Sequence, residues 1–175
     1  MQIDLTKLLS GEGRKESHDI GYNPEMYRSK MGDFPLEEAA TIHFDLEHIK
    51  NRLVKVEARG EVSLWIPCGR CLQPVKVDFP IEVSEEIDLT LSFDERRDSE
   101  HSGNYIEGQV LDTNQCVDNE ILIQWPLRVL CKDDCKGICS HCGSNRNITK
   151  CDCDTKELDP RMAAIKDIFH QFKEV

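Results

Sequence analysis

Positive charge is scarce in this 175-residue chain. Its 22 Lys and Arg stand against 33 Asp and Glu, for a formal net charge of −11. Nonspecific nucleic-acid binding works by neutralising phosphates with Lys and Arg, so this balance excludes a general nucleic-acid coat. It leaves a local RNA contact or a basic partner. Part of the carboxylate excess simply serves solubility. Long apolar runs are missing too. No stretch approaches the roughly 18 apolar residues of a membrane helix. MQIDLTKLLSGEGRKESHDIGY, at the N-terminus, has no signal-like apolar core followed by a small-residue cleavage site. The expectation is a cytoplasmic protein without membrane association, in a compartment that keeps thiols reduced. Catalytic signatures are also absent: no Ser-His-Asp order, HExxH, glycine-rich phosphate loop or dinucleotide fingerprint occurs. The pairs Glu85-Glu86 and Asp133-Asp134 read as solvated faces. Nothing points to an enzyme or to a small-molecule substrate.

What is present begins with alternation. Residues 10–38 are polar without a sustained period and read as a connecting segment, so 1–38 is taken as an N-terminal strand and linker. Beyond them Ile42, Phe44 and Leu46 share one parity. Val54, Val56, Ala58, Val62, Leu64 and Ile66 continue on even positions. Val75, Val77, Phe79, Ile81, Val83, Ile87, Leu89 and Leu91 take odd ones. A period of two over such lengths predicts half-buried strands of an antiparallel sheet, with a bend at Gly60 and a weak point at Pro80. FDERRDSEHSGNYIEGQ, from residue 93, reads as a mobile loop. Asp112 or Thr113 then caps a short helix with Val117, Ile121 and Trp125 on one stripe, ended by Pro126. Asp159-Pro160-Arg161 opens a terminal helix whose stripe is Ile165, Ile168, Phe169 and Phe172. The fold class is α+β: an antiparallel sheet, as a partly open barrel or sandwich, over 39–125, then a cysteine-rich, zinc-bound segment and terminal helix over 126–175.

LCKDDCKGICSHCGSNRNITKCDC, residues 130–153, holds six of the nine cysteines. An odd count and a reducing compartment argue against a disulfide framework. Cys68 and Cys71 sit in WIPCGRCLQPV, at a turn between two alternating segments, as in the knuckle of a zinc ribbon. A thioredoxin-like CxxC needs a helix N-terminus at the first thiolate, and a strand follows here. Cys139 and Cys142 form a second knuckle, with Gly143 free to turn left-handed. Cys151 and Cys153 project from one face of an extended segment. These make one four-cysteine site, and Cys131 and Cys135 supply the count that completes Cys68 and Cys71. A competing partition puts Cys135 with Cys139, Cys142 and one of Cys151 or Cys153. Cys116 is expected to be a small buried side chain, and His141 to face solvent.

Two structural zinc ions are the expectation. An iron–sulfur cluster is the alternative, because all-thiolate sites suit both. CxxxCxxC over Cys135, Cys139 and Cys142 has the radical-SAM spacing, but too few residues follow for that fold. Four cysteines leave zinc no open position, so it would stabilise and not catalyse. Such a site contributes about 10–16 kcal/mol of apparent binding energy, comparable with the whole net stability of a typical domain at about 5–15 kcal/mol. Residues 126–158 have few large apolar side chains, so metal would hold them in shape. Around the sulfurs, Lys132, Lys136, Asn145, Arg146, Asn147 and Lys150, with Arg70 and Arg161, are candidate RNA or partner contacts.

CGRCL at 68–72, PLRVLCKDDCKGICSHCGSNRNITKCDC and DPRMAAIKDIF together resemble the YceD family of large ribosomal RNA subunit accumulation proteins. These segments correspond to the family's CxRCL, its P…C…CKGLCPxCGxNLN…CxC block and its DPR-headed helix. Departures are Ile138 for Leu, Ser140 for Pro and Arg146 for the Leu of NLN; none touches a sulfur. The resemblance implies a non-enzymatic part in accumulating large-subunit ribosomal RNA, in a bacterial cytoplasm or a plastid. The partner would be that RNA, met by a metal-stiffened loop, or else a basic ribosomal protein escorted by the acidic surface.

Overall fold

A computed structural model describes residues 1–98 and 104–153. The predicted terminal helix, with Arg161, lies outside them. The chain divides into two compact units: unit 1 comprises Met1–Ile66 and Pro74–Val129, and unit 2 comprises Pro67–Gln73 and Leu130–Val175.

The strands, in chain order, are β1 (Gln2–Asp4), β2 (Lys15–Tyr22), β3 (Met26–Ser29), β4 (Gly32–Pro35), β5 (Ala40–Lys50), β6 (Leu53–Pro67), β7 (Pro74–Asp88), β8 (Ile106–Glu107) and β9 (Val110–Asp112). Among the described residues they are joined by a single 3-10 turn at Leu8–Ser10 and two α-helices, α1 (Phe93–Asp98) and α2 (Thr113–Ile123). The main sheet has the order β2-β5-β6-β7, beside a three-stranded sheet β1-β9-β8 and a hairpin β3-β4. The sheets are open, and among the described residues no barrel closes.

The alternation of β5 to β7 acts as expected. Ile42, Phe44 and Leu46, then Val54, Val56, Ala58, Val62, Leu64 and Ile66, then Phe79, Ile81, Val83, Ile87 and Leu89 all point into one core. Leu91 is exposed instead. The opposite face carries pairs such as Lys55–Glu57 and Lys15–Glu47. These are solvent-exposed and individually weak. Trp125, just past α2, fastens the hairpin to the sheet, its ring 5.9 Å from Tyr27, 4.8 Å from Phe34 and 5.7 Å from Phe79. Asp112 caps α2 by accepting from the amides of Asn114 and Gln115. Val117 and Ile121 are buried beneath it.

Two segments differ from the sequence reading. Residues 10–38 are not a linker: β2 pairs with β5 from Lys15↔Glu47 to Tyr22↔Ala40, and β3 pairs with β4. As an edge strand, β2 buries only Ile20 and Tyr22, too few to print a period. The hairpin buries a single aromatic on each strand. The segment from residue 93 is not all loop either. Ser92 and Glu95 close a reciprocal capping box at the start of α1. Arg96 then donates to the Ile106 carbonyl at 2.6 Å, and β8 and β9 follow.

Neither Gly60 nor Pro80 interrupts its strand. Pro80 is tolerated because β7 is the last strand of its sheet. Gly60 is required for another reason: a Cβ there would lie 2.5 Å from Ile42 Cδ1 and 3.1 Å from the Thr41 carbonyl oxygen. Gly60→Ala is therefore expected to cost about 1–3 kcal/mol in urea unfolding. Ile42→Val, which deletes the clashing Cδ1, should recover part of that loss in the double variant.

Candidate metal centres

The β6–β7 connection is a tight knuckle. The Cys68 amide donates to the Gln73 carbonyl at 2.8 Å, and the Leu72 amide donates back to the Cys68 carbonyl at 3.0 Å. The second knuckle repeats this pattern. Cys139 N–H donates to Ser144 at 2.8 Å, and Gly143 N–H donates to Cys139 at 2.9 Å. The residue after the second cysteine is left-handed in both, Leu72 at φ 62° and Gly143 at φ 70°.

The eight sulfurs gather as two tetrads, Cys68, Cys71, Cys131 and Cys135, and Cys139, Cys142, Cys151 and Cys153. Within each, all four Sγ atoms lie within 4.8 Å of one another. Cys135 therefore stands with the knuckle of β6–β7 and not with Cys139. In the first tetrad the Cys68–Cys135 sulfurs are 3.8 Å apart and the Cys71–Cys131 sulfurs 3.5 Å. All nine cysteines are free of disulfides. A tetrahedral ion with metal–sulfur bonds of about 2.3 Å places its sulfurs about 3.8 Å apart. Each tetrad can thus hold one tetrahedral ion, and all-thiolate donors suit a soft or borderline metal.

Electrostatics gives the same answer. Burial opposes ionisation of Cys68, yet the amides of Arg70, Cys71 and Cys131 bring its thiol down to about 6. Burial, with the neighbouring Cys135 and Cys71, pushes Cys131 up to about 12. In the second tetrad the Ser144 hydroxyl and amide lower Cys142 to about 6. Cys153, facing Cys142, is pushed up to about 12. Four thiolates at these distances repel one another and ionise together only around a cation.

The loop that carries the tetrads is braced by residues expected at its surface. Arg70 donates to the Cys135 carbonyl at 2.8 Å and accepts, at its own carbonyl, the Ile138 amide at 3.1 Å. Gly137, at φ 73°, allows this approach, since a Cβ would lie 3.0 Å from the Arg70 carbonyl oxygen. Asn147 donates to Cys135 Sγ at 3.3 Å and accepts the Lys136 amide at 2.9 Å. Asn145 Oδ1 receives both the amide and the side-chain nitrogen of Asn147. Arg70, Asn145 and Asn147 thus serve the frame. The side chains of Lys132, Lys136, Arg146 and Lys150 are exposed, Lys132 near Asp134. His141 is exposed and belongs to neither tetrad. Cys116 is buried in α2, and burial followed by the charges of Glu85 and Glu120 pushes its thiol up to about 12.

Comparison with known proteins places these features. The family described as "Large ribosomal RNA subunit accumulation protein YceD" matches residues 54–169, a span that includes every tetrad cysteine. An uncharacterised protein of Mycobacterium tuberculosis is 23% identical over 146 residues, covering 82% of this chain and 69% of the relative. A Mycobacterium bovis protein matches to the same extent. The "Large ribosomal RNA subunit accumulation protein YCED homolog 1, chloroplastic" of Arabidopsis thaliana is 20% identical over 199 aligned positions, 99% of this chain and 61% of the relative. No solved structure matches the chain.

The tetrads differ in access. The first tetrad buries Cys68, Cys71 and Cys135 and half-buries Cys131, whereas the second buries only Cys139, exposes Cys142 and half-buries Cys151 and Cys153. Limited maleimide labelling of the protein as purified should therefore modify Cys142 before Cys68, Cys71 or Cys135, as read by peptide mass spectrometry. Labelling of Cys142 no faster than that of Cys68 and Cys71 would contradict the geometry.

Proposed function

The chain belongs to the YceD family, and on that premise we propose that it is a non-catalytic factor supporting accumulation of large-subunit ribosomal RNA, through local RNA contact by a zinc-stiffened unit 2. One observation carries the reading: the separation of charge between the units. Unit 2 holds 9 of the 22 basic and 8 of the 33 acidic residues, leaving 13 and 25 to unit 1. Unit 1 thus stands at −12 and repels phosphate. Unit 2 stands at only about −3 once each four-thiolate zinc centre adds a net −2, and it presents Lys136, Arg146 and Lys150 as a local cationic patch on a braced loop. RNA is met by such cations at phosphates and by neighbouring groups at bases.

Zinc is the proposed ion in both tetrads, held by Cys68, Cys71, Cys131 and Cys135, and by Cys139, Cys142, Cys151 and Cys153. Its part is structural, fixing four thiolates in one geometry and cancelling part of their charge. A four-iron cluster puts each thiolate on a separate iron, which would spread the sulfurs wider than 3.5–3.8 Å. A single ion is favoured on that ground. The chain's own residues orient the site: Arg70 and Asn147 hold Cys135, and the knuckle amides face Cys68 and Cys139.

The acidic excess of unit 1 favours a second reading, an escort that shields a basic ribosomal protein until assembly. Ultraviolet crosslinking in the native cells separates the two. Large-subunit ribosomal RNA attached to unit 2 supports the first, and a basic ribosomal protein without RNA supports the second. Metal analysis of the purified protein is expected to give two zinc ions per chain. Iron, or no metal, would defeat the zinc assignment. Arg146→Glu with Lys150→Glu should weaken RNA binding and flatten its salt dependence by about one unit of slope per cation lost, with zinc content unchanged.

A further inference from the structure

The two knuckles close with the same hydrogen bonds but place different residues at the left-handed position. Gly143 adopts φ 70° at no steric cost, whereas Leu72 adopts φ 62° with its Cβ pressed toward the following carbonyl. Burial does not compensate, because Leu72 is 64% exposed. The left-handed backbone does not call for a leucine there. Strain held at an exposed side chain is a mark of use.

Its surroundings indicate the use. The Ile138 amide binds the Arg70 carbonyl at 3.1 Å, which sets Gly137 and Ile138 beside the Leu72 loop. The Arg146 amide binds the Gly137 carbonyl at 2.9 Å. Ile138, itself 43% exposed, is thereby tied to Arg70, two residues before Leu72, and through Gly137 to Arg146, with Lys136 one residue before Gly137. Ile148, 72% exposed, follows on the same loop.

We infer that Leu72, with Ile138 on the adjoining segment, is an apolar contact for an unpaired base, so that unit 2 selects single-stranded RNA loops over duplex. The inference rests on the RNA reading above and sharpens it. A-form duplex hides its base faces and offers mainly phosphates and 2′-hydroxyls, to which a leucine contributes nothing. An unpaired base offers an apolar face whose burial removes surface from water, while Lys136 and Arg146 engage the flanking phosphates. Separate aliphatic side chains set among cations do not form the contiguous apolar patch of a protein interface.

The test uses the full chain, with Leu72→Gly and Leu72→Asn, both of which accept the left-handed backbone. Binding is measured to a fluorescein-labelled single-stranded RNA and to a blunt RNA duplex of equal length, across a salt series. Both variants should keep the wild-type metal content, with a thermal midpoint at or above wild type because the left-handed strain is relieved. Both should bind single strands about five- to tenfold more weakly, with an unchanged salt slope because no charge is removed. Arg146→Glu should lower that slope. Wild-type binding of single strands by both Leu72 variants, while Arg146→Glu still impairs it, overturns the base contact and leaves the RNA reading standing. Equal wild-type affinity for duplex and single strand overturns the selectivity. A wild-type protein that binds neither RNA, or Leu72 variants that lose only a copurifying protein, overturns the inference, and the first result removes the RNA reading with it.

Discussion

Mutual repulsion among thiolates is the constraint on which unit 2 depends. Its described residues bury almost nothing apolar apart from cysteine, so the free energy that orders unit 1 is not available there. Sulfurs held within 4.8 Å of one another would drive the loops apart if charged. A cation held at each tetrad would turn the same charges into the cohesive force. The amides that face the sulfurs, the Arg70 guanidinium and the Asn145–Asn147 pair become useful only once that centre exists, because each orients a ligand or the chain beside it. Unit 1 follows other rules: an alternating sheet, an aromatic clamp at Trp125 and a capped helix.

How much could be read in advance depended on whether a residue's type also determines its direction. In β5, β6 and β7 it does, because alternation over more than ten residues leaves one face apolar and one wet. The partners of Cys68 and Cys71 were legible by a different route. The local pairs Cys139–Cys142 and Cys151–Cys153 complete one set and leave Cys131 and Cys135 over. Strand β2 was illegible because an edge strand with a polar outer face carries only Ile20 and Tyr22 as signal. The Ser92–Glu95 capping box is present in the sequence as S-x-x-E, but so many charged residues surround it that the motif does not stand out.

The frame around the sulfurs was the least legible part. An arginine and two asparagines in a polar loop look like surface groups, and only folding shows that Arg70 reaches the Cys135 carbonyl and Asn147 its sulfur. In the NRN triplet the flanking asparagines face inward and Arg146 faces out, so adjacent residues divide framework from contact. That division makes variants informative, since Arg146 can be reversed in charge without touching a ligand.

Unit 2 is discontinuous, and that has a consequence for its birth on a translating ribosome. Cys71 is made 60 residues before Cys131, which at about 5–20 residues per second amounts to roughly 3–12 s. The Cys139 tetrad, by contrast, spans a short local stretch and can close almost as soon as it emerges. For those seconds the first knuckle stands as an incomplete, two-sulfur ligand on a nascent chain. The order of synthesis thus lets the local tetrad close first, while the other waits for two distant parts of the chain to meet.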